Sequence, residues 1–124
     1  MTELSTLIEE IPKYQPGADL ALLERAYRFS EVSHQGQQRA SGEPYVSHPL
    51  EVAHLLVGFR MDVTTVTAGL LHDVLEDTAA TKQDLEREFG KPAISNQSCM
   101  IWDTLTRLGA WKPIPNQGRL LSAA

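Results

Sequence analysis

The segment from Asp62 to Thr78 most restricts how this chain can fold. It predicts one helix that Asp62 caps and that runs to about Asp77, with apolar residues on nearly every side. Helices that are apolar nearly all round are usually buried. The same segment nevertheless carries four ionisable side chains, and charged groups are rarely buried unless they are paired or bound to a metal. We therefore expect these groups in the interior or at the floor of a cleft.

The spacing of the four ionisable residues places them together on the predicted helix. At about 100° per residue, His72 and Glu76 share one strip, and Asp73 and Asp77 share the adjoining strip. Each residue alone is explained more simply, as a satisfied core histidine or a solvated acid near a helix end. All four together favour a divalent metal with an acid/base pair beside it.

A metal needs more ligands than one helix usually supplies. His48 is the natural candidate, because the Ser47–Pro49 junction begins another predicted helix and can point a ring into a cleft. His34 and His54 are the other candidates, although His54 falls on the apolar side of its helix, which favours a core position. Mixed imidazole and carboxylate ligands suit Mn, Fe or Zn.

Composition excludes several classes of protein. The 124 residues suit one domain with one modest core, and the formal charge of −5 comes without a basic stripe, so nucleic-acid binding is not expected. No apolar run reaches membrane-spanning length, and the start lacks the basic and apolar regions of a signal peptide. Cys99 is alone, which excludes an intramolecular disulfide. We expect a reduced, cytoplasmic protein.

Apolar residues recur at helical spacing through most of the chain and no strand pattern persists, so the predicted fold class is all-α. Pro12 and the pair Pro16–Gly17 should interrupt the first helix. Residues 35–44 read as a loop, and Lys112–Ala124 as a mobile tail. The predicted helices cover residues 1–15, 19–34, 48 to about 57, 62–77, 81–90 and 101–108.

Three stretches resemble the RelA/SpoT-type proteins. Residues 35–50 read Q-G-Q-Q-R-A-S-G-E-P-Y-V-S-H-P-L and, with His34 in front, resemble that family's H-x-G-Q-x-R-x-S-G-E-P-Y-x-x-H-P-L. Residues 70–78 resemble its L-L-H-D-V-x-E-D-T, and residues 81–90 its T-x-x-x-[IL]-x-x-x-F-G. The resemblance covers roughly residues 19 to 90. Two long, ordered motifs with a matching gap argue against a chance match.

The resemblance implies a fold and an activity. The fold is the HD-domain helical bundle of about five to six helices, over residues 1–90, incomplete at its C-terminal end and followed by a divergent segment over residues 91–124. The activity is removal of pyrophosphate from the ribose 3′ position of the alarmones ppGpp and pppGpp, which leaves GDP or GTP. That is a hydrolase of the stringent response, usually working with Mn²⁺ or another divalent metal.

The resemblance also implies a role for each matching residue. It implies metal ligands at His48, His72 and Asp73, catalytic acids at Glu76 and Asp77 that position or activate the attacking water, and nucleotide contacts at Arg39 and Ser41. Without the resemblance, Arg39 would be read as a solvated loop residue and Ser41 as part of a plain turn. Arg presents a planar, permanently charged donor for a phosphate or a base face.

The chain departs from the family pattern at one position of the loop and again after residue 90. Ala40 stands where the family often has Lys, and no stretch resembles the L-A-D-R-L-H-N that carries the family's last metal-ligand Asp. Residues 102–109 resemble instead the family's earlier V-D-G-V-T-K-L-G, so Asp103 is not that ligand. The shortened bundle would leave an apolar face uncovered, which predicts self-association as a homodimer.

Three functions therefore stay open. The first is an enzyme, a metal-dependent (p)ppGpp pyrophosphohydrolase. The second is a truncated, catalytically inactive HD domain that binds nucleotide or a partner as a regulatory module. The third is a phosphohydrolase for a different nucleotide, against which the stretch from Arg39 to His48 argues, because HD domains in general share the His-Asp pair but not that loop.

Overall fold

The computed structural model describes residues 3–94, 96–110, 112–113, 115, 119 and 122. Helices are the regular elements of this part of the chain, and the one β pairing within it is an isolated antiparallel bridge between Gln38 and Pro44. The all-α prediction is confirmed. The helices are α1 Leu4–Tyr14, α2 Leu20–Ser33, α3 Ser47–Gly58, α4 Val63–Leu71, α5 Val74–Asp77, α6 Lys82–Phe89 and α7 Asn96–Arg107.

The chain divides into two compact units, Met1–Thr78 and Ala79–Ala124. The first unit contains α1 to α5, and the second contains α6 and α7. The division of the sequence after residue 90 stays a prediction.

Apolar residues at helical spacing build the core of the first unit. Helix α4 packs against α2 and α3, and α1 packs against the same two helices. Burial of these side chains is the main favourable term in forming the unit. The buried apolar side chains are Leu7, Ile11, Leu23, Ala26, Leu50, Ala53, Val57, Val63, Val66, Leu70 and Val74.

Polar residues mark most helix boundaries as the sequence predicts. Asp19 and Asp62 each accept a hydrogen bond from the backbone N–H three residues further on, at 3.0 and 2.8 Å. Thr81 and Asp84 form a reciprocal capping box at the start of α6. Gly90 ends α6 with φ +67°, a left-handed conformation that costs glycine little.

Two boundaries differ from the prediction. Pro12 does not end α1, which continues to Tyr14, because a proline near the end of a helix removes one backbone hydrogen bond without preventing the last residues from coiling. Helix α7 begins at Asn96, five residues before the predicted Ile101. Most of the predicted tail, residues 112–124, lies outside the described residues.

Two surface properties bear on the remaining expectations. Within the described residues, no helix combines the length and apolar character needed to cross a membrane. Leu55, Phe59 and Met61, at and after the end of α3, are 63%, 75% and 43% exposed. Self-association through an apolar face stays a prediction.

Candidate active site

The predicted single helix from Asp62 to Asp77 is wrong at its centre. Helix α4 ends at Leu71 and α5 begins at Val74, so His72 and Asp73 lie in the turn between them. The Nδ1 atom of His72 is 2.6 Å from the carbonyl oxygen of Gly69, which an unbroken helix would give to the backbone N–H of Asp73. A side chain that bonds to a nearby carbonyl competes with the helical ladder.

This turn brings three candidate metal ligands together. His48 comes from the first turn of α3, and its Nε2 atom lies 3.2 Å from Oδ2 of Asp73. The Nε2 atom of His72 lies 3.0 Å from the same carboxylate oxygen. The two imidazole rings meet edge to face, with centroids 5.2 Å apart. Asp73 Oδ2 is therefore the atom on which both histidines converge.

The donor set fits a divalent cation. Two ligand atoms at right angles, each about 2.1 Å from a metal, lie about 3.0 Å apart, and the two nitrogen–oxygen distances of 3.2 and 3.0 Å match that spacing. With Nδ1 of His72 donating to Gly69, the Nε2 lone pair of the neutral ring is free to bind a metal. Among the described residues, this trio is the one group of three or more such side chains that could hold an ion.

The expected position of the cluster in the interior is wrong, and its position at the floor of a cleft stays a prediction. The side chains of His48 and His72 are 35% and 37% exposed, and that of Asp73 is 15% exposed. Glu76 and Asp77 are exposed. Both imidazole rings are partly exposed, so a ligand can reach the cluster from solvent.

The two other histidines stay outside the trio. His54 is exposed, so the expectation of a core position for it is wrong. His34 is 2% exposed and stacks on the ring of Tyr45, with centroids 4.5 Å apart.

Tyr45 joins the cluster to Asp77, although the sequence pattern assigns it no role. Its hydroxyl donates to Oδ2 of Asp77 at 2.6 Å and lies 3.4 Å from Oδ2 of Asp73. The hydrogen bond to Asp77, with burial and the two negative charges, raises the pKa of Tyr45 to about 12. Tyr45 is thus a donor at any physiological pH. The sequence signal that could have identified Tyr45 as a site residue is its position three residues before His48.

Gln37 reaches the same residue from another side. Its Nε2 atom donates to the backbone carbonyl of Asp77 at 2.7 Å, and its Oε1 atom lies 3.1 Å from Nδ1 of His34. Because the amide nitrogen of Gln37 is the donor to Asp77, Nδ1 of His34 is the donor to Oε1. The loop before α3 is therefore tied to α5 through Gln37 and Tyr45.

The two predicted nucleotide contacts lie on the same loop but face acidic partners. Nη1 of Arg39 is 3.2 Å from each carboxylate oxygen of Glu51, one turn beyond His48 on α3, and 3.7 Å from Glu43. Ser41 is exposed, with its hydroxyl 3.5 Å from Glu43. The guanidinium is paired with Glu51, and its contact with a nucleotide stays a prediction.

Known proteins resemble this chain over the same region. A GTP pyrophosphokinase rsh of Brucella melitensis is 46% identical over 84 residues, 68% of this chain and 11% of that protein. A GTP pyrophosphokinase of Myxococcus xanthus is 48% identical over 80 residues, 64% of this chain and 11% of that protein. The bifunctional (p)ppGpp synthase/hydrolase SpoT of Escherichia coli K12 is 46% identical over 86 residues, 69% of this chain and 12% of that protein.

The chain thus matches about a ninth of the length of these relatives. The sequence profile of the family described as HD domain matches residues 26–95, more than half of the chain. That range contains the loop before α3 and all three converging side chains. The chain therefore belongs to the HD-domain family, as an HD domain of the RelA/SpoT type.

Proposed function

We propose that this chain is a metal-dependent pyrophosphohydrolase that removes the 3′ pyrophosphate of ppGpp and pppGpp. The observation that carries the proposal is the convergence of His48 and His72 on one carboxylate oxygen of Asp73, at the surface of a RelA/SpoT-type HD domain. A further relative, from Escherichia coli O157:H7, is named guanosine-3′,5′-bis(diphosphate) 3′-pyrophosphohydrolase and is 46% identical over 86 residues.

His48, His72 and Asp73 are the residues that would hold the cation, and Mn²⁺ is the metal we propose. A bound divalent cation would supply Lewis acidity and offset negative charge on the phosphoryl group. Three protein ligands leave coordination positions for water and substrate, as catalytic metal sites require. The partial exposure of both imidazoles leaves room for them.

Glu76 and Asp77 would act on the attacking water. The water oxygen attacks the phosphorus bonded to the ribose 3′ oxygen, and the bond between that phosphorus and the 3′ oxygen breaks. A carboxylate accepts a proton from the water, and the departing 3′ oxygen takes up a proton to become a hydroxyl. Both acids are exposed and lie within the four-residue helix that follows Asp73 directly.

Arg39 and Ser41 would bind the nucleotide. The chain carries a formal charge of −5, so a polyphosphate needs local positive charge to bind. Arg39 supplies a permanent cation on the loop that leads into His48. The loop therefore serves both the nucleotide and the metal ligands.

The test is release of pyrophosphate from ppGpp by the purified chain with added Mn²⁺. We expect release from the wild type and none above background from Asp73→Asn, because the substitution removes the charge at the point of convergence. The matched control is Asp103→Asn, whose carboxylate pairs with Arg107 at 2.9 Å on α7. Release that is equal in all three proteins would refute the proposal.

The regulatory alternative predicts a different result. A chain that binds ppGpp in a calorimeter but releases no pyrophosphate is a nucleotide-binding HD domain without turnover. What favours this alternative is that no stretch of the sequence resembles the L-A-D-R-L-H-N that carries the family's last metal-ligand Asp.

A further inference from the structure

We infer that Tyr45 and Gln37 are positioning residues that hold Asp77 beside the metal ligands. Tyr45 holds the carboxylate of Asp77, and Gln37 holds its backbone carbonyl. The inference rests on the proposed function, because Asp77 is one of the two acids assigned to the attacking water. Neither Tyr45 nor Gln37 is proposed to touch the substrate.

Helix α5 needs such tethers because it is one turn long. It has four residues, Val74–Asp77, and an isolated helix of that length does not persist in water. The last carbonyls of a helix lack partners within it. Gln37 supplies a partner for the carbonyl of Asp77 at 2.7 Å, and Thr78 bonds back to the carbonyl of Val74 at 2.6 Å. The position of Asp77 thus depends on the loop before α3.

Packing fixes the Tyr45 side of the tether. The ring stacks on buried His34, with an interplanar angle of 22°, and meets His48 edge-on at a centroid distance of 6.2 Å. A phenol has one proton to donate, and the shorter distance of 2.6 Å assigns it to Asp77 rather than to Asp73. The bond uses Oδ2 of Asp77, so Oδ1 keeps its lone pairs for a water.

The two tethers are also joined to each other. The backbone N–H of Tyr45 donates to the carbonyl of Gln37 at 3.1 Å, and the N–H of Arg39 donates to the carbonyl of Glu43 at 2.9 Å. These bonds close the loop around the bridge between residues 38 and 44. Tyr45 and Gln37 therefore hold Asp77 as parts of one closed loop, and the removal of either should loosen α5.

A double-mutant cycle on unfolding tests the contact without any need for activity. We expect Tyr45→Phe, which keeps the ring, to raise the unfolding equilibrium constant about fivefold in the wild type and less than about twofold in Asp77→Ala. The matched control is Tyr27→Phe, which removes a hydroxyl bonded to Glu31 at 3.3 Å, and its effect should be the same in both backgrounds. Equal effects of Tyr45→Phe in both backgrounds would overturn the inference.

Kinetics then separate positioning from general loosening. In the ppGpp assay we expect Tyr45→Phe and Gln37→Ala each to lower kcat about tenfold or more, with KM within about twofold and an unchanged Mn²⁺ dissociation constant. Tyr27→Phe should leave all three constants unchanged. A raised KM at constant kcat would assign Tyr45 to substrate binding and refute the inference. If the wild type releases no pyrophosphate, the proposed function fails, and the unfolding cycle still decides whether Tyr45 holds Asp77.

Discussion

Gly69 lies in α4, three residues before His72, at a position where an added side chain would meet α3. A Cβ at this position would lie 2.7 Å from Cδ1 of Leu56 and 3.5 Å from Cγ1 of Val52. Gly69 also accepts the hydrogen bond from His72, so a change in the spacing of the two helices should displace His72, one of the proposed metal ligands. We therefore predict that larger residues at position 69 destabilise the fold and weaken metal binding together.

The magnitude follows from two opposing effects. Replacing a helical glycine by alanine gains about 1 kcal/mol of helix propensity, whereas overpacking a core costs about 1–3 kcal/mol. The nearest atom is the end of a flexible leucine side chain, so the overpacking cost of Gly69→Ala should lie at the lower end of that range. The free energy of unfolding should therefore fall by about 0–1 kcal/mol. Gly69→Val adds methyl groups that also meet Val52, and it should lose about 2 kcal/mol or more.

The assay is urea unfolding followed by circular dichroism, with Mn²⁺ titration of each folded variant. The matched control is Gly58→Ala in α3, where an added Cβ meets nothing within 4 Å, so it should be neutral or stabilising by up to about 1 kcal/mol. The double variant Leu56→Ala/Gly69→Ala should lose less stability than the sum of its single changes. A Gly69→Val protein as stable as the wild type, with unchanged Mn²⁺ affinity, would refute the reasoning.

Two further predictions concern charged groups. The pKa of Asp62 is lowered mainly by the hydrogen bond from the hydroxyl of Thr65 and, to a smaller extent, by the bond from its backbone N–H. The negative charge of Asp62 therefore stabilises the fold fully above pH about 4, and this stabilisation is lost as the pH falls through the lowered pKa. Asp62→Asn keeps the capping oxygen without the charge, so the difference in free energy of unfolding between this variant and the wild type should shrink as the pH falls. Unfolding curves measured at several acidic pH values check this, and a difference that stays constant with pH would contradict it. Under the proposed function, Glu51 competes with phosphate for the Arg39 guanidinium. Exposed ion pairs are worth up to about 1 kcal/mol, so Glu51→Gln should tighten ppGpp binding by at most about fivefold in a calorimeter. Unchanged or weaker binding would show that Glu51 does not compete.

The sequence predicts the helices well wherever local rules decide them. Asp19, Asp62 and Thr81 cap helices as expected, and each uses a backbone N–H three residues away. Such contacts depend on neighbours along the chain, so a pattern of residue types is enough to find them. Spacing and the family resemblance likewise identify His48, His72 and Asp73, the three side chains that converge.

The tertiary structure alone decided how the site is arranged. The break after Leu71, the exposure of the cluster and the link from Tyr45 to Asp77 are not visible in the helical pattern. A helical-wheel projection assumes an unbroken helix. It cannot anticipate that the Nδ1 atom of His72 bonds to the carbonyl of Gly69 in place of a backbone N–H of the helix.

The physical reason for this division is the range of the interactions. Capping and helix formation act over three or four residues, whereas Tyr45 and Asp77 are 32 positions apart and meet only after α2, α3 and α4 have packed. Amino-acid types at each position determined an all-α chain that carries RelA/SpoT-type motifs and side chains of the kinds that suit a divalent metal. Packing determined which carboxylate oxygen the two histidines share and which residues hold the neighbouring acid in place.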